Sequence, residues 1–283
     1  MSQGPDRSGG DFRRARLLSF FNAILSALGG RPHKLLAFDE VREKLRLGGP
    51  VHRGLHPVPL SQIVGSLNRY HDFDRRFLPT QSHTEDRWRK IDRAWYEEIS
   101  LPPVLLYKVG QVYFVVDGNH RVSVARQRGQ EFIDAEIREV VSRVPVTPDL
   151  RPEDLELLGS RVDFLERTQL DRLQPEARIE PTILGGYDRL IEHIAVHRYY
   201  MGIDEGRPIG EEEAVRHWYD TLYRPVVEVI EALGILEEFP DRTASDLYLW
   251  VSDHLHYLRE QQGRENADPA EAAAEFIQGL QDE

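Results

Sequence analysis

The chain contains no cysteine. That removes a disulfide framework, a thiolate zinc site and a cysteine nucleophile from the possible chemistries. It also has no apolar run near the roughly 18 residues that a membrane span needs, and its first residues lack the apolar stretch and small-residue cleavage site of a secretory signal. A cytoplasmic location with no membrane partner is the expectation. Lysine is scarce too, with 4 against 32 arginines, a bias that suits bidentate anion contacts and equally a GC-rich genome.

Positive charge is thin in the second half of the chain. Residues 151–283 carry 13 Lys+Arg and 30 Asp+Glu, a net −17, whereas residues 1–100 carry 17 and 12, a net +5, and residues 101–150 balance at 6 and 6. A phosphate-binding surface on the second half would meet strong repulsion, so phosphate chemistry belongs early in the chain. The acidic half reads instead as a solubility or partner surface.

What is present is enough for a globular protein: 283 residues at 40% hydrophobic can form one large domain or two ordinary ones. Residues 1–10 have no apolar side chain beyond Met1 and read as a disordered lead. In 11–50, Phe12, Leu17, Leu18, Phe21, Ile24, Leu25 and Leu28 recur at helical spacing up to Gly29-Gly30, and a second helix is expected over 37–46.

Residues 51–142 alternate in type. A short strand is expected at Val58 and Leu60, then a turn over 62–66 capped by Ser61. Trp88, Ile91, Trp95 and Ile99 predict a helix over 84–98, and a hairpin of 104–107 with 112–116 follows. A helix from Asn119 and a closing strand through Phe132, Ile137 and Val140 complete the unit. VSRVPVTPDLRPED is a boundary, and 143–283 is an acidic helical module with helices at 151–158, 183–201, 210–233, 243–262 and 268–281. The fold class is therefore α+β: a small mixed sheet with helices, followed by an all-α module.

The chemistry concentrates in VVDGNHRVSVARQRG, residues 115–129. A β-branched run stops at Asp117-Gly118 and a helix opens at once. The first amides of a helix lack internal partners and carry partial positive charge, so such an end binds phosphate or carboxylate. Gly118 permits a sharp turn and close approach, Asn119 is a candidate cap, and Arg121 adds a permanent cation, with His120 beside it. A cation in a first helical turn opposes the dipole unless an anion sits there. The competing reading is an ordinary strand-to-helix turn with solvated first-turn residues.

Tyr113-Phe114-Val115-Val116-Asp117-Gly118-Asn119-His120-Arg121, followed by Ala125, Gly129 and a strand, resembles the ParB N-terminal domain and sulfiredoxin superfamily over residues 51–142. Leu60–Ile63 and Pro102-Pro103-Val104-Leu105 stand where that superfamily has its opening strand and its "PI-x-V" strand. The resemblance implies a ParB/sulfiredoxin-like domain that holds nucleotide phosphates with a Gly-x-x-Arg segment, here Gly118, Asn119, His120 and Arg121. The implied ligand is a nucleoside triphosphate, CTP or ATP, with Mg²⁺. Sulfiredoxins have Cys where this chain has Asn119, which excludes sulfinic-acid reduction. ParB partition proteins have an acidic residue and a second Arg at Asn119 and His120, then a basic helix-turn-helix reader, for which this chain shows no counterpart.

Free-serine kinases of the superfamily share an Asp-Gly-x-x-Arg pattern that Asp117, Gly118 and Arg121 match, which makes Asp117 the candidate catalytic carboxylate. Asp72, Asp74, Glu97 and Glu98 are possible second carboxylates, each equally a surface charge or cap. In the acidic half, His193 and His197 have the i, i+4 spacing of a metal pair, near Glu192, His217, Asp253, His254 and His256, or they make interhelical hydrogen bonds. Ser245 and Asp246 cap a helix as readily as they touch a ligand.

The leading expectation is a cytoplasmic nucleotide-binding regulator, with a homodimer or protein partner through the helical module. Two alternatives stand beside it: a small-molecule kinase or NTP hydrolase using the same pocket, and a transcriptional regulator touching DNA through the basic N-terminal half.

Overall fold

The computed structural model describes residues 4–29 and 34–262. The chain forms two compact units, Met1–Leu155 and Glu156–Glu283. The first is an α+β unit on a six-stranded mixed sheet, and the second is helical among its described residues.

The first unit opens with α1 (Gly4–Gly29), β1 (Leu36–Ala37), α2 (Phe38–Lys44), β2 (Val51–Pro59) and β3 (Ile63–Ser66). It continues with α3 (Glu85–Tyr96), β4 (Val104–Val109), β5 (Val112–Asp117), α4 (Asn119–Gln127) and β6 (Phe132–Val140). The sheet order is β1-β3-β5-β4-β6-β2. Within it β1–β3, β3–β5 and β4–β6 run parallel, while β4–β5 and β2–β6 run antiparallel.

Val58, Val104, Leu106, Val115, Ala135 and Ile137 bury one face of the sheet with Val122 and Ala125 of α4. On the sheet, Phe38 packs at 4.7 Å from Tyr107 and 5.4 Å from Phe114. Gly65 in β3 is a close-approach position: a Cβ there would lie 2.4 Å from the Leu36 carbonyl and 2.5 Å from the Phe114 ring. Phe12, Ala15, Leu78, Trp88 and Val124 make a second cluster in which α1 and α3 pack beside α4.

Several elements depart from the sequence expectation. Residues 4–10 are helical rather than a disordered lead, because Ser8, Phe12, Ala15 and Ser19 fall at four, three and four residues and all are buried. The predicted turn at 62–66 is a single 3₁₀ turn, Leu60–Gln62, and then β3, whose four residues are buried between neighbouring strands. Tertiary pairing there overrides a local turn signal. The strand expected only near Val58 runs from Val51, as an edge strand that accommodates Pro57 and Pro59.

Residues 143–150 remain with the first unit. Gln111 N donates to the Val146 carbonyl at 2.9 Å, and Arg75 donates to the carbonyls of Pro148 and Leu150 at 2.8 and 3.0 Å.

The second unit contains α5 (Leu155–Thr168, which starts at the unit boundary), α6 (Leu170–Leu173), α7 (Gly186–Glu205), α8 (Glu211–Trp218), α9 (Arg224–Ala232) and α10 (Ala244–Gln262). Helix 151–158 is displaced to Leu155–Thr168 because Pro152 begins a 3₁₀ turn ahead of it. The segment 210–233 is interrupted by a π-turn, Tyr219–Tyr223, just before Pro225, which has no amide to continue the α-helical ladder. The predicted helix 268–281 lies outside the described residues.

The core of this unit is aromatic. Trp218 donates to the Tyr248 hydroxyl at 3.1 Å, and Tyr223 and Ser245 share a hydroxyl hydrogen bond of 2.7 Å. No helix among the described residues is long and apolar enough to cross a membrane.

Candidate functional site

Antiparallel pairing with β4 carries β5 to Asp117, where the chain turns into α4 through Gly118 at φ 109° and ψ 20°. That left-handed conformation favours glycine, and the space does too: a Cβ would sit 2.5 Å from Val104 Cγ1. Val122 N closes the first helical turn onto the Gly118 carbonyl at 3.0 Å. Asn119 was expected to cap the helix, but Gly118 is the N-cap and no side chain caps it. Asn119 and His120 fold inward instead, 6% and 5% exposed.

Two buried polar atoms there, Asn119 Oδ1 and His120 Nε2, have no hydrogen-bond partner among the described residues. Leaving such a group unsatisfied costs roughly 1–3 kcal/mol, so each calls for an explanation such as a ligand or a water. The His120 ring lies edge-on to Phe73 at 5.3 Å. Burial, and after it the charges of Arg87 and Arg69, lower its pKa to about 4, so the imidazole is neutral at pH 7.

Arg121 is committed rather than free. One Nη donates to the carbonyls of Pro102 and, at 2.7 Å, Pro103, while the other donates to Asp117 at 2.5 Å. The Asp117 side chain is 64% exposed.

A cleft of about 320 Å³ opens at this end of α4, and Asn68, Arg69 and Arg87 line it together with the segment Val116–Arg121. Arg69 donates to Asp72 at 2.8 Å, and Asp72 also faces His83 at 3.3 Å. Arg87 is exposed and makes no ion pair among the described residues. The cleft thus gathers three guanidinium groups against the single carboxylate of Asp117, at the positive end of a helix.

All five predicted site residues, Asp117, Gly118, Asn119, His120 and Arg121, line this cleft. Asp72, Asp74, Glu97 and Glu98 do not. Asp72 is tied to Arg69, and Asp74 accepts from the amides of Arg76 and Leu78 at 2.9 Å each. Sequence reasoning missed Asn68, Arg69 and Arg87. Arg87 carried a signal: it stands in the first turn of α3, where a cation opposes the helix dipole just as Arg121 does in α4. Arg69 and Asn68 come from the loop after β3 and carried none.

The histidines of the second unit fall into separate contacts. His197 Nε2 meets His217 Nδ1 at 2.8 Å with stacked rings, while His193 packs edge-on to Tyr248 at 5.8 Å. Burial lowers the pKa of both His193 and His197. No group of three or more His, Asp or Glu gathers in metal-binding geometry among the described residues. The side chains of His254 and His256 lie outside the described set.

Ser245 and Asp246 hold the loop before α7. Ser245 accepts from Glu180 N at 2.9 Å, and Asp246, fully buried, accepts from Thr182 N at 2.8 Å and Thr243 N at 3.0 Å.

No family model matches the sequence, and no curated protein matches it.

Proposed function

We propose that the cleft at the head of α4 binds a nucleotide by its phosphates, and that the protein is a cytoplasmic nucleotide-responsive regulator. The observation that carries this reading is the buried His120 Nε2, without a partner among the described residues, beside Arg69, Arg87 and an uncapped helix N-terminus. The equally partnerless Asn119 Oδ1 can only accept and calls for a donor such as a hydroxyl instead, which leaves the ring nitrogen, the guanidinium groups and the helix amides as donors. Oxygen-rich anions suit that donor set. In this reading the first amides of α4 and the Arg87 guanidinium hold phosphate oxygens. The neutral His120 donates one hydrogen bond from Nε2, in the tautomer that carries its proton there. Arg121 is a positioning residue that fixes the turn.

A nucleoside triphosphate would supply negative charge and a transferable phosphoryl group. Any Mg²⁺ would bind chiefly through the phosphates, because Asp117 is the one carboxylate lining the cleft. The resemblance of residues 113–129 to the ParB/sulfiredoxin superfamily supports the same reading. Thermal unfolding of the full chain with CTP, ATP, GTP and inorganic triphosphate, with and without Mg²⁺, tests it. A ligand at a hundred times its Kd adds about 2.7 kcal/mol to stability. No shift with any of the four would overturn the reading.

Asp117 favours a second reading, phosphoryl transfer or hydrolysis, since its exposed carboxylate borders the same cleft. Multiple-turnover phosphate release that is lost in a folded Asp117→Asn protein would select it.

A further inference from the structure

A second cleft, of about 310 Å³, adjoins the first: Arg121 and Ile91 line both. Its character is opposite. Trp95, Ile99, Pro102, Val124 and Phe132 supply apolar walls, and besides Arg121 only Gln130 and Asp134 bring polar side chains. Three of these large apolar residues remain open, with Trp95 42%, Ile99 54% and Phe132 54% exposed. Such a concentration beside a polar cleft marks a binding surface.

The walls are held in place. Arg128 lies 4.9 Å over the Trp95 ring and is itself anchored by buried Asp92, so the indole has a fixed backing. Arg121 fixes the opposite wall through the carbonyls of Pro102 and Pro103, with the same guanidinium that binds Asp117 at the anion cleft. One side chain therefore sets the geometry of both cavities.

We propose that this apolar cleft receives the flat ring of the ligand whose phosphates lie at the head of α4. The ligand class is then a polyphosphate bearing an aromatic base, contacted by Trp95 and Ile99, with Arg121 holding the wall opposite. This rests on the phosphate reading above. The occupant follows from continuity with the anion cleft, and stacking on an indole face tolerates more than one base.

The test compares inorganic triphosphate, ATP and CTP by titration calorimetry on the full chain, in wild type and in Trp95→Ala and Ile99→Ser proteins. Both side chains are half exposed, so the fold is expected to survive either change. Wild type should bind at least one of the nucleotides about tenfold more tightly than inorganic triphosphate, and Trp95→Ala should erase that advantage while leaving the triphosphate constant unchanged. Ile99→Ser should move the constants in the same direction by a smaller factor. Equal affinity of wild type for all three ligands, or an advantage that survives in both variants, would overturn the ring assignment and leave the phosphate site standing. Failure of all three ligands to bind would overturn the phosphate reading, and this one with it.

Discussion

Arg121 donates to Asp117 at 2.5 Å across the turn that joins β5 to α4. The two charged side chains of the turn Asp117–Arg121 therefore neutralise one another, and of the other two guanidinium groups that line the cleft Arg69 is paired with Asp72 while Arg87 has no ion pair among the described residues. An Arg that also holds two backbone carbonyls is set in position before any ligand arrives.

That division of labour separates two variants. Arg87→Ala should weaken nucleotide and triphosphate binding by tenfold or more while leaving the unfolding free energy in urea within about 0.5 kcal/mol of wild type, because Arg87 is exposed and makes no ion pair among the described residues. Arg121→Ala should lower both binding and stability. Equal stability losses in the two proteins would contradict the assignment of Arg121 as a positioning residue.

Gly118→Ala should destabilise the first unit by about 1–3 kcal/mol, since the new methyl group overlaps Val104 in a backbone conformation disfavoured for alanine. Pairing it with Val104→Ala should relieve the overlap but not the backbone strain. A double-mutant cycle by denaturant unfolding measures the two contributions, and strict additivity would show that the contact is absent.

His120 makes stability depend on pH in a defined window. The unfolded chain takes up a proton near pH 6.5 that the folded protein refuses until about pH 4. This contribution is therefore full above pH 6.5 and is lost progressively as pH falls to about 4, with a ceiling of about 3 kcal/mol. His193 and His197 act in the same direction. Urea midpoints at pH 7.5, 5.5 and 4.5 should fall more steeply for wild type than for His120→Gln. Parallel slopes would show that His120 titrates normally.

The same imidazole predicts a pH dependence of binding. An anion beside His120 raises its pKa, so triphosphate affinity should increase between pH 7 and pH 5 in wild type and change less in His120→Gln. Calorimetry at the two pH values reads this directly.

Arg128→Ala should be the most damaging of these changes to the fold, at about 3–5 kcal/mol. It strands the fully buried Asp92 carboxylate that Arg128 binds at 2.5 Å and removes the cation stacked 4.1 Å over Tyr96. Asp92→Asn with Arg128→Met should recover part of the loss, since neither then leaves a buried charge; thermal melts of the three proteins decide it.

By itself the sequence determined the α+β class, the strand-to-helix turn at Asp117–Arg121 and the chief helices of the acidic half. Each of these is written in local periodicity or in a residue with special backbone freedom, such as Gly118. Strands β1 and β3 were not legible: two residues and four residues carry too little pattern, and only hydrogen bonding to neighbours across the sheet makes them strands. Nor was the inward turn of Asn119 and His120, or the gathering of Arg69, Arg87 and Arg121 around one cleft and Trp95, Ile99 and Phe132 around the next. Those residues lie up to 63 positions apart in the chain, and only the packing of α3 and α4 beside the sheet gathers them into two adjoining clefts.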